Sequence, residues 1–390
     1  SSTDDTVDGV TVDGNVITIT SGGTYIISGT LTEGQLVVDA DDEKVQLVLD
    51  NADITCATSA AIYVKSASKT FITLVEGSEN ILMNTAEFEA IDDNNIDAVI
   101  FSKDDLALNG SGTLTINSEN GHGIVSKDDL KITGGTYNIT AASHALSGKD
   151  SVRIAAGTFN LVSGKDGIHS ENADDSSKGY VYIAGGEFMI DSTGDGIDAS
   201  NIVQIDGGTF DITAGGGVEN STKTHEDNMM GGPGGGNGPQ MGEAPDGNTP
   251  SEKPSGEVPQ GDPGNNSSEN SGSDNSSSDS SSSDIATPPE KPDSNTNQAA
   301  GTEQSESDTS DSDSASTKGI KADGRLYING GTFTINSADD SVHSNSAVTI
   351  NDGTYTLTTG DDGVHSGEAV EINGGTITIS ESYEGLEGLT

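Results

Sequence analysis

The sequence predicts an all-β fold, a parallel β-helix built as a solenoid of coils of about 22 residues and broken by one long insertion. Two observations lead there. Ile320, Val342, Val364 and Leu386 recur every 22 residues, as do Thr332, Thr354 and Thr376, and a fixed period of this length marks a repeat architecture. Within each unit the apolar period is two: Leu326/Ile328, Val348/Ile350 and Val370/Ile372 alternate with polar residues, and so do Phe333/Ile335, Tyr355/Leu357 and Ile377/Ile379. Each unit therefore carries three short strands, one around Gly-Ile or Gly-Val, one of the Leu-Tyr-Ile-Asn type and one after Gly-Gly-Thr. Glycine, Asn and Asp stand at the corners, where positive φ is needed. Such a unit cannot bury a core alone, but stacked coils can, and stacking at about 4.8 Å places like residues in columns.

Taken in order, residues 1–9 form an acidic tail expected to be disordered. The β-helix is expected over 10–220. Its first segments, Val16 to Ile19, Thr24 to Ser28 and Gln35 to Val38, are strand-like and should cap the open end of the stack. Val45 to Leu49, Ile62 to Val64 and Phe71 to Val75 build less regular coils. From Ile96 the repeat sharpens, with Ile124, Leu146, Ile168 and Ile197 in one column. The last interval of that column stretches to 29 residues because Glu171 to Lys178 adds a surface loop. Val218 is expected to begin another coil. Residues 221–317 are Ser, Asn, Gly, Asp, Glu and Pro with almost nothing apolar, a composition that cannot offset its ordering entropy, so we expect a disordered insertion. Residues 318–390 continue the same rod, since a long excursion adds only a logarithmic closure cost.

Composition limits the partners. A net charge of −48, from 64 acidic and 16 basic residues, excludes nucleic acid, whose binding needs clustered cations, and favours cationic ligands. No run approaches the roughly 20 apolar residues of a membrane span. Cys56 cannot form an intramolecular disulfide and sits at a small apolar position of the pattern. The chain opens on Ser1 without Met or a secretory leader and closes as a new unit begins, so the natural protein is expected to continue.

Three columns carry candidate chemistry. Corner residues before each inward Ile or Val read His122, His144, Asp166, Asp195, Gly216, Lys318, Asp340, Asp362 and Glu384, and an outward column one residue beyond reads Val125, Ser147, His169, Asp198, Glu219, Lys321, His343, His365 and Glu387. Stacked carboxylates repel, and a hard divalent cation with oxygen ligands relieves the repulsion. Asp166, Asp195, Asp198 and Glu219 make the densest cluster, and Asp339, Asp340, Asp361 and Asp362 the second; both are candidate Ca²⁺ sites. Asp-Gly is equally good turn chemistry, so solvated corners are the competing reading. His169, His343 and His365 read better as surface histidines beside Asp than as transition-metal ligands. Tyr137, Phe159, Phe188, Phe210, Phe333 and Tyr355 share parity with inward aliphatics and are assigned to the core. Tyr182 and Tyr327 have the opposite parity and face solvent in a column with Lys131, Arg153 and Gln204, which can stack sugar rings and pair with uronate carboxylates.

The phrases SGGTYIISGTLTEGQLVVDA, VQLVLDNADITC, AAIYVKSA, GDGIDA, STKGIKADG, SADDSVHS and SYEGLEG together resemble the clostridial carbohydrate-binding β-helix family, whose members are similar in fold to pectate lyases. The resemblance covers all but the tail and insertion. It implies a right-handed parallel β-helix, bound calcium, and non-catalytic binding of plant cell-wall polysaccharide, cellulose and uronic-acid polymers included, by an extracellular or cell-surface protein. A calcium-dependent pectate-type lyase is the enzymatic alternative, for which Lys165, Lys318 and Lys321 beside Asp supply possible bases. A purely structural or adhesive rod is a third class.

Overall fold

The computed structural model describes residues 8–89, 95–222 and 316–389. The disordered tail and insertion expected from composition lie almost wholly outside these residues. The described chain is all-β: apart from a single 3-10 turn at Val218–Asn220, its regular elements are strands.

The strands assemble as three ladders. The first opens with Val10–Asp13 antiparallel to Val16–Ile19, a hairpin that covers the end of the ladder. It then runs in parallel through Gln35–Asp39, Ile62–Ser66, Ala98–Ser102 and His122–Ser126, and on to Val364–Ser366 and Leu386–Glu387. The second and third ladders start together in two long parallel strands, Gly23–Leu31 and Lys44–Cys56. Beyond Lys44–Cys56 they separate, Lys69–Leu74 continuing one and Glu79–Asn84 the other. From Leu106 on, each coil gives one strand to every ladder, as in Ile197–Ala199, Val203–Ile205 and Thr209–Ala214. These long parallel ladders are compatible with a β-helix. The expected capping segment Thr24 to Ser28 instead belongs to the long strand that founds the second and third ladders.

Alternation decides what is buried. Ile124, Leu146, Ile168, Ile197, Ile320 and Val342 are fully enclosed in one continuous core. Above them the third ladder stacks Tyr137, Phe159, Phe188, Phe210, Phe333 and Tyr355 face to face, with ring centroids 4.6–5.1 Å apart and interplanar angles of 9° or less. The strand spacing imposes this parallel stacking. Each ring lies over the glycine two residues before it: Gly208 has φ 122°, and a Cβ there would meet the Phe210 ring and the Gly186 carbonyl at 3.0 Å. Only glycine satisfies both requirements. Cys56 is buried and free, its thiol pushed up by burial.

One expected coil does not form. Ile197 pairs directly with Ile320, and Ala214 with Ser337, so the strand following Thr209–Ala214 in the stack comes from beyond the insertion. Val218 lies in the 3-10 turn, which follows three glycines of positive φ, Gly215 to Gly217, that carry the chain out of the corner.

Candidate functional site

The corner column has a backbone role that the sequence does not announce. His122 Nδ1 accepts the N–H of His144, and His144 Nδ1 accepts that of Asp166, both at 3.2 Å. Asp166 Oδ1 then accepts from Asp195 at 2.8 Å, and Asp195 Oδ1 from Lys318 at 2.6 Å. Farther along, Asp340 Oδ1 and Asp362 Oδ1 accept from Asp362 and Glu384 at 3.0 Å. Asp or His suits this corner because each offers an acceptor at the right reach for the coil above.

Each corner Asp has a second oxygen left, and in the densest predicted cluster it faces cations of the chain itself. Asp166 Oδ2 and Asp198 Oδ2 each lie 3.1 Å from His169 Nδ1. Burial alone would lower the His169 pKa, but hydrogen bonds to Asp166, Asp198 and Glu171 hold it well above the ordinary imidazole range. Lys321 Nζ is 3.0 Å from Asp198 Oδ1 and 3.6 Å from Asp195 Oδ2. Burial opposes its charge, yet Asp198 and Asp195 keep the ammonium well above its usual value. Asp195, 1% exposed, is pushed up to about 6 by burial and by the charges of Asp198 and Asp166. The sequence placed Glu219 in this cluster, but it does not extend it. The position above Asp198 belongs to Lys321, and Glu219 is exposed on the 3-10 turn, because the chain leaves the stack at Gly215.

The second cluster is brought together differently. Asp339, Asp340 and Asp361 present carboxylate oxygens within 4.8 Å of one another. Lys318 Nζ reaches Asp339 Oδ2 at 2.5 Å. Asp362 joins the neighbouring His365 rather than this trio, at 3.1 Å.

The solvent-facing column holds its predicted register: Lys131, Arg153, Tyr182, Gln204 and Tyr327 are successive partners in the second ladder, followed by Thr349 and Glu371. Arg153 is ion-paired with Asp129, and its Nε is buried without a hydrogen-bond acceptor among the described residues. Tyr182 Oη donates to Asp206 Oδ2 at 2.7 Å, and this bond pushes its pKa up to about 12. Asp206 Oδ1 also accepts from Gln204 at 2.9 Å and from Asn329 at 2.7 Å, starting an amide ladder that continues through Asn351 and Asn373.

Sequence reasoning missed a trough on the outer face of the third ladder. It has a volume of about 500 Å³ and is lined by Ile81, Met83, Thr115, Asn138, Asn160 and Val162, among others. The exposed Ile81 and Val162 on strands of strict alternation were its available signal.

Stacked parallel ladders with acidic corners and a polar outward column define a repetitive binding scaffold. A family model described as carbohydrate-binding domain-containing protein matches residues 13–363, and the chain belongs to that family. A carbohydrate-binding domain-containing protein of Acetivibrio thermocellus is 44% identical over 140 residues, 35% of this chain and 49% of that protein. The chain thus spans about half the length of the curated relative it matches. The solved structure of the polysaccharide lyase-like protein from C. thermocellum, a gadolinium derivative, superposes with a TM-score of 0.52 at 39% identity, covering 54% of this chain and 87% of that one.

Proposed function

We propose that this chain is a non-catalytic, extracellular or cell-surface binder of plant cell-wall polysaccharide, taking cellulose and acidic sugars such as polygalacturonate on a calcium-stabilised, right-handed parallel β-helix. The observation that carries this reading is the outward column of Lys131, Arg153, Tyr182, Gln204 and Tyr327 in unbroken strand register. Two coil steps, about 10 Å, match the rise of a disaccharide along an extended β-linked chain. Tyrosine rings offer faces to pyranoses, and the partly exposed Arg153 guanidinium offers its charge to a uronate. Family membership and the polysaccharide lyase-like neighbour support the substrate class. The proposed Ca²⁺ site is Asp339, Asp340 and Asp361, whose carboxylate oxygens lie within 4.8 Å of one another with no histidine among them.

Against the lyase alternative, Lys321 is tied to Asp198 and Asp195, and a lysine whose charge is stabilised in this way is a poor base. Co-sedimentation with insoluble cellulose and retention on immobilised polygalacturonate, run beside an absorbance assay for unsaturated uronide products, separates the readings. Retention without product is expected; product formation, or retention on neither polymer, overturns the proposal.

A further inference from the structure

The second acidic region holds a pair of histidines in an arrangement that differs from the first. His343 and His365 stack on adjacent coils with ring centroids 4.8 Å apart. Asn345 Nδ2 donates to Asp323 Oδ1 at 2.9 Å, so its carbonyl oxygen is the atom turned toward His343 Nε2 at 2.8 Å. That oxygen can only accept, which puts a proton on Nε2. His343 Nδ1 in turn lies 2.7 Å from Asp340 Oδ2, while Asp340 Oδ1 is occupied by the N–H of Asp362. A ring nitrogen and a carboxylate oxygen at that separation share a proton or a cation.

The neighbouring ring makes the same demand more strongly. His365 Nδ1 faces three carboxylates, with Asp362 Oδ2 and Glu387 Oε2 at 3.1 Å and Asp340 Oδ2 at 4.0 Å. One proton cannot be directed at all three. The donor atoms of Asp340, His343 and His365 lie within 4.8 Å of one another, as do those of Asp362, His365 and Glu387. Ligands 2.0–2.2 Å from a tetrahedral zinc ion stand about 3.3 Å apart. The region opens to solvent, with Glu387 49% and His365 29% exposed. A ring N–H held by an outer amide, itself held by a carboxylate, is the way metal-binding histidines are oriented. The His144–Asp166–His169 group, whose ligand atoms also lie within 4.8 Å of one another, has no side-chain amide on either ring among the described residues, and His144 Nδ1 faces both the Asp166 N–H and Asp166 Oδ2.

We propose that His343 and His365, with Asp340 and a carboxylate from Asp362 or Glu387, form a binding site for one imidazole-seeking divalent cation of the zinc type, distinguished by its imidazoles from the all-oxygen calcium site with which it shares Asp340. Imidazole nitrogen selects zinc, nickel or copper over calcium and magnesium.

The test uses the full chain stripped with EDTA and titrated at pH 7 with Zn²⁺ alone. One equivalent is expected to bind, with a rise in melting temperature. His343→Ala and His365→Ala should each weaken binding at least tenfold, Asn345→Ala about tenfold through loss of orientation, and His169→Ala should leave binding unchanged. Long-range ¹H–¹⁵N correlation of the histidine rings in the unsubstituted chain reads the same site without relying on variants that fold. Movement of the His343 and His365 Nδ1 signals with one equivalent of zinc supports the site. Those two rings standing unmoved, movement of His144 and His169 instead, or full zinc binding by the His343→Ala/His365→Ala double variant each overturns it.

Discussion

The backbone N–H of Lys318 donates to Asp195 Oδ1 at 2.6 Å, across 123 positions of sequence. The corner ladder therefore passes from one side of the insertion to the other without a missing rung, and Ile197 meets Ile320 just beyond it. Replacing residues 223–315 with a flexible linker of about 12 residues should leave one cooperative thermal transition at an unchanged or higher temperature. Shortening the loop relieves closure entropy by about 2 kcal/mol at most. Two separate transitions, or a lower melting temperature, would show that the coils on either side do not fold as one stack.

Acid should weaken the stack at the coil of His122. Burial depresses its imidazole to about 3, and its bare Nδ1 accepts the His144 N–H. The ordinary unfolded value is about 6.5, so between roughly pH 6.5 and 3 the unfolded chain binds the extra proton and stability falls as pH falls, by up to about 1.4 kcal/mol per pH unit. His122→Asn keeps an acceptor oxygen without the titration. Its unfolding free energy, followed from pH 7 to pH 4 by urea denaturation, should drop less steeply than that of the parent; parallel curves would remove His122 from the account.

The glycan column predicts divided effects. Lys131→Ala with Arg153→Ala should reduce retention on polygalacturonate while sparing cellulose, since cellulose carries no charge for them to meet. Tyr182→Ala and Tyr327→Ala should each reduce retention of both polymers on the order of tenfold, about 1.4 kcal/mol. Undiminished binding by the quadruple variant would move the site to the outer face of the third ladder, which carries the trough at Asn138 and Asn160 and, beyond the coils of Met189 and Asp211, the exposed rows Thr332, Thr354, Thr376 and Thr334, Thr356, Thr378.

Calcium at Asp339, Asp340 and Asp361 should raise the melting temperature of EDTA-treated protein. A ligand confined to the folded state adds about 2.7 kcal/mol at a hundred times its Kd. Magnesium, which keeps its waters, should shift it far less. His343→Ala should preserve the calcium response, which separates this site from the zinc-type one. Identical melting curves in EDTA and in millimolar calcium would remove calcium from this corner.

How far the sequence could be read follows from what a period encodes. Alternation and the 22-residue interval fix which residues share a column, so the register Lys131–Arg153–Tyr182–Gln204–Tyr327 and the inward rings were legible in advance. A column does not say what lies beside it. That Asp166 Oδ1 accepts the N–H of Asp195 depends on the offset between coils, which no single repeat contains. Val218 misled because Gly-Val matches the start of a coil. The missing clue was a second strand: Val218 is followed by no Leu-Tyr-Ile-Asn-like run, whereas Ile320 is followed by Leu326 and Ile328.

The stacked rings also make the chain its own spectroscopic gauge. With no Trp present, two tyrosines terminate a file of four phenylalanines, Tyr137 at one end and Tyr355 at the other, and the insertion falls between the third and fourth phenylalanine, Phe210 and Phe333. Rings held parallel at under about 5 Å couple their electronic transitions. Near-ultraviolet circular dichroism of the unlabelled protein therefore reports the integrity of that seam directly, and a Phe210→Leu substitution should cut the coupled file in two while leaving the far-ultraviolet β signal intact.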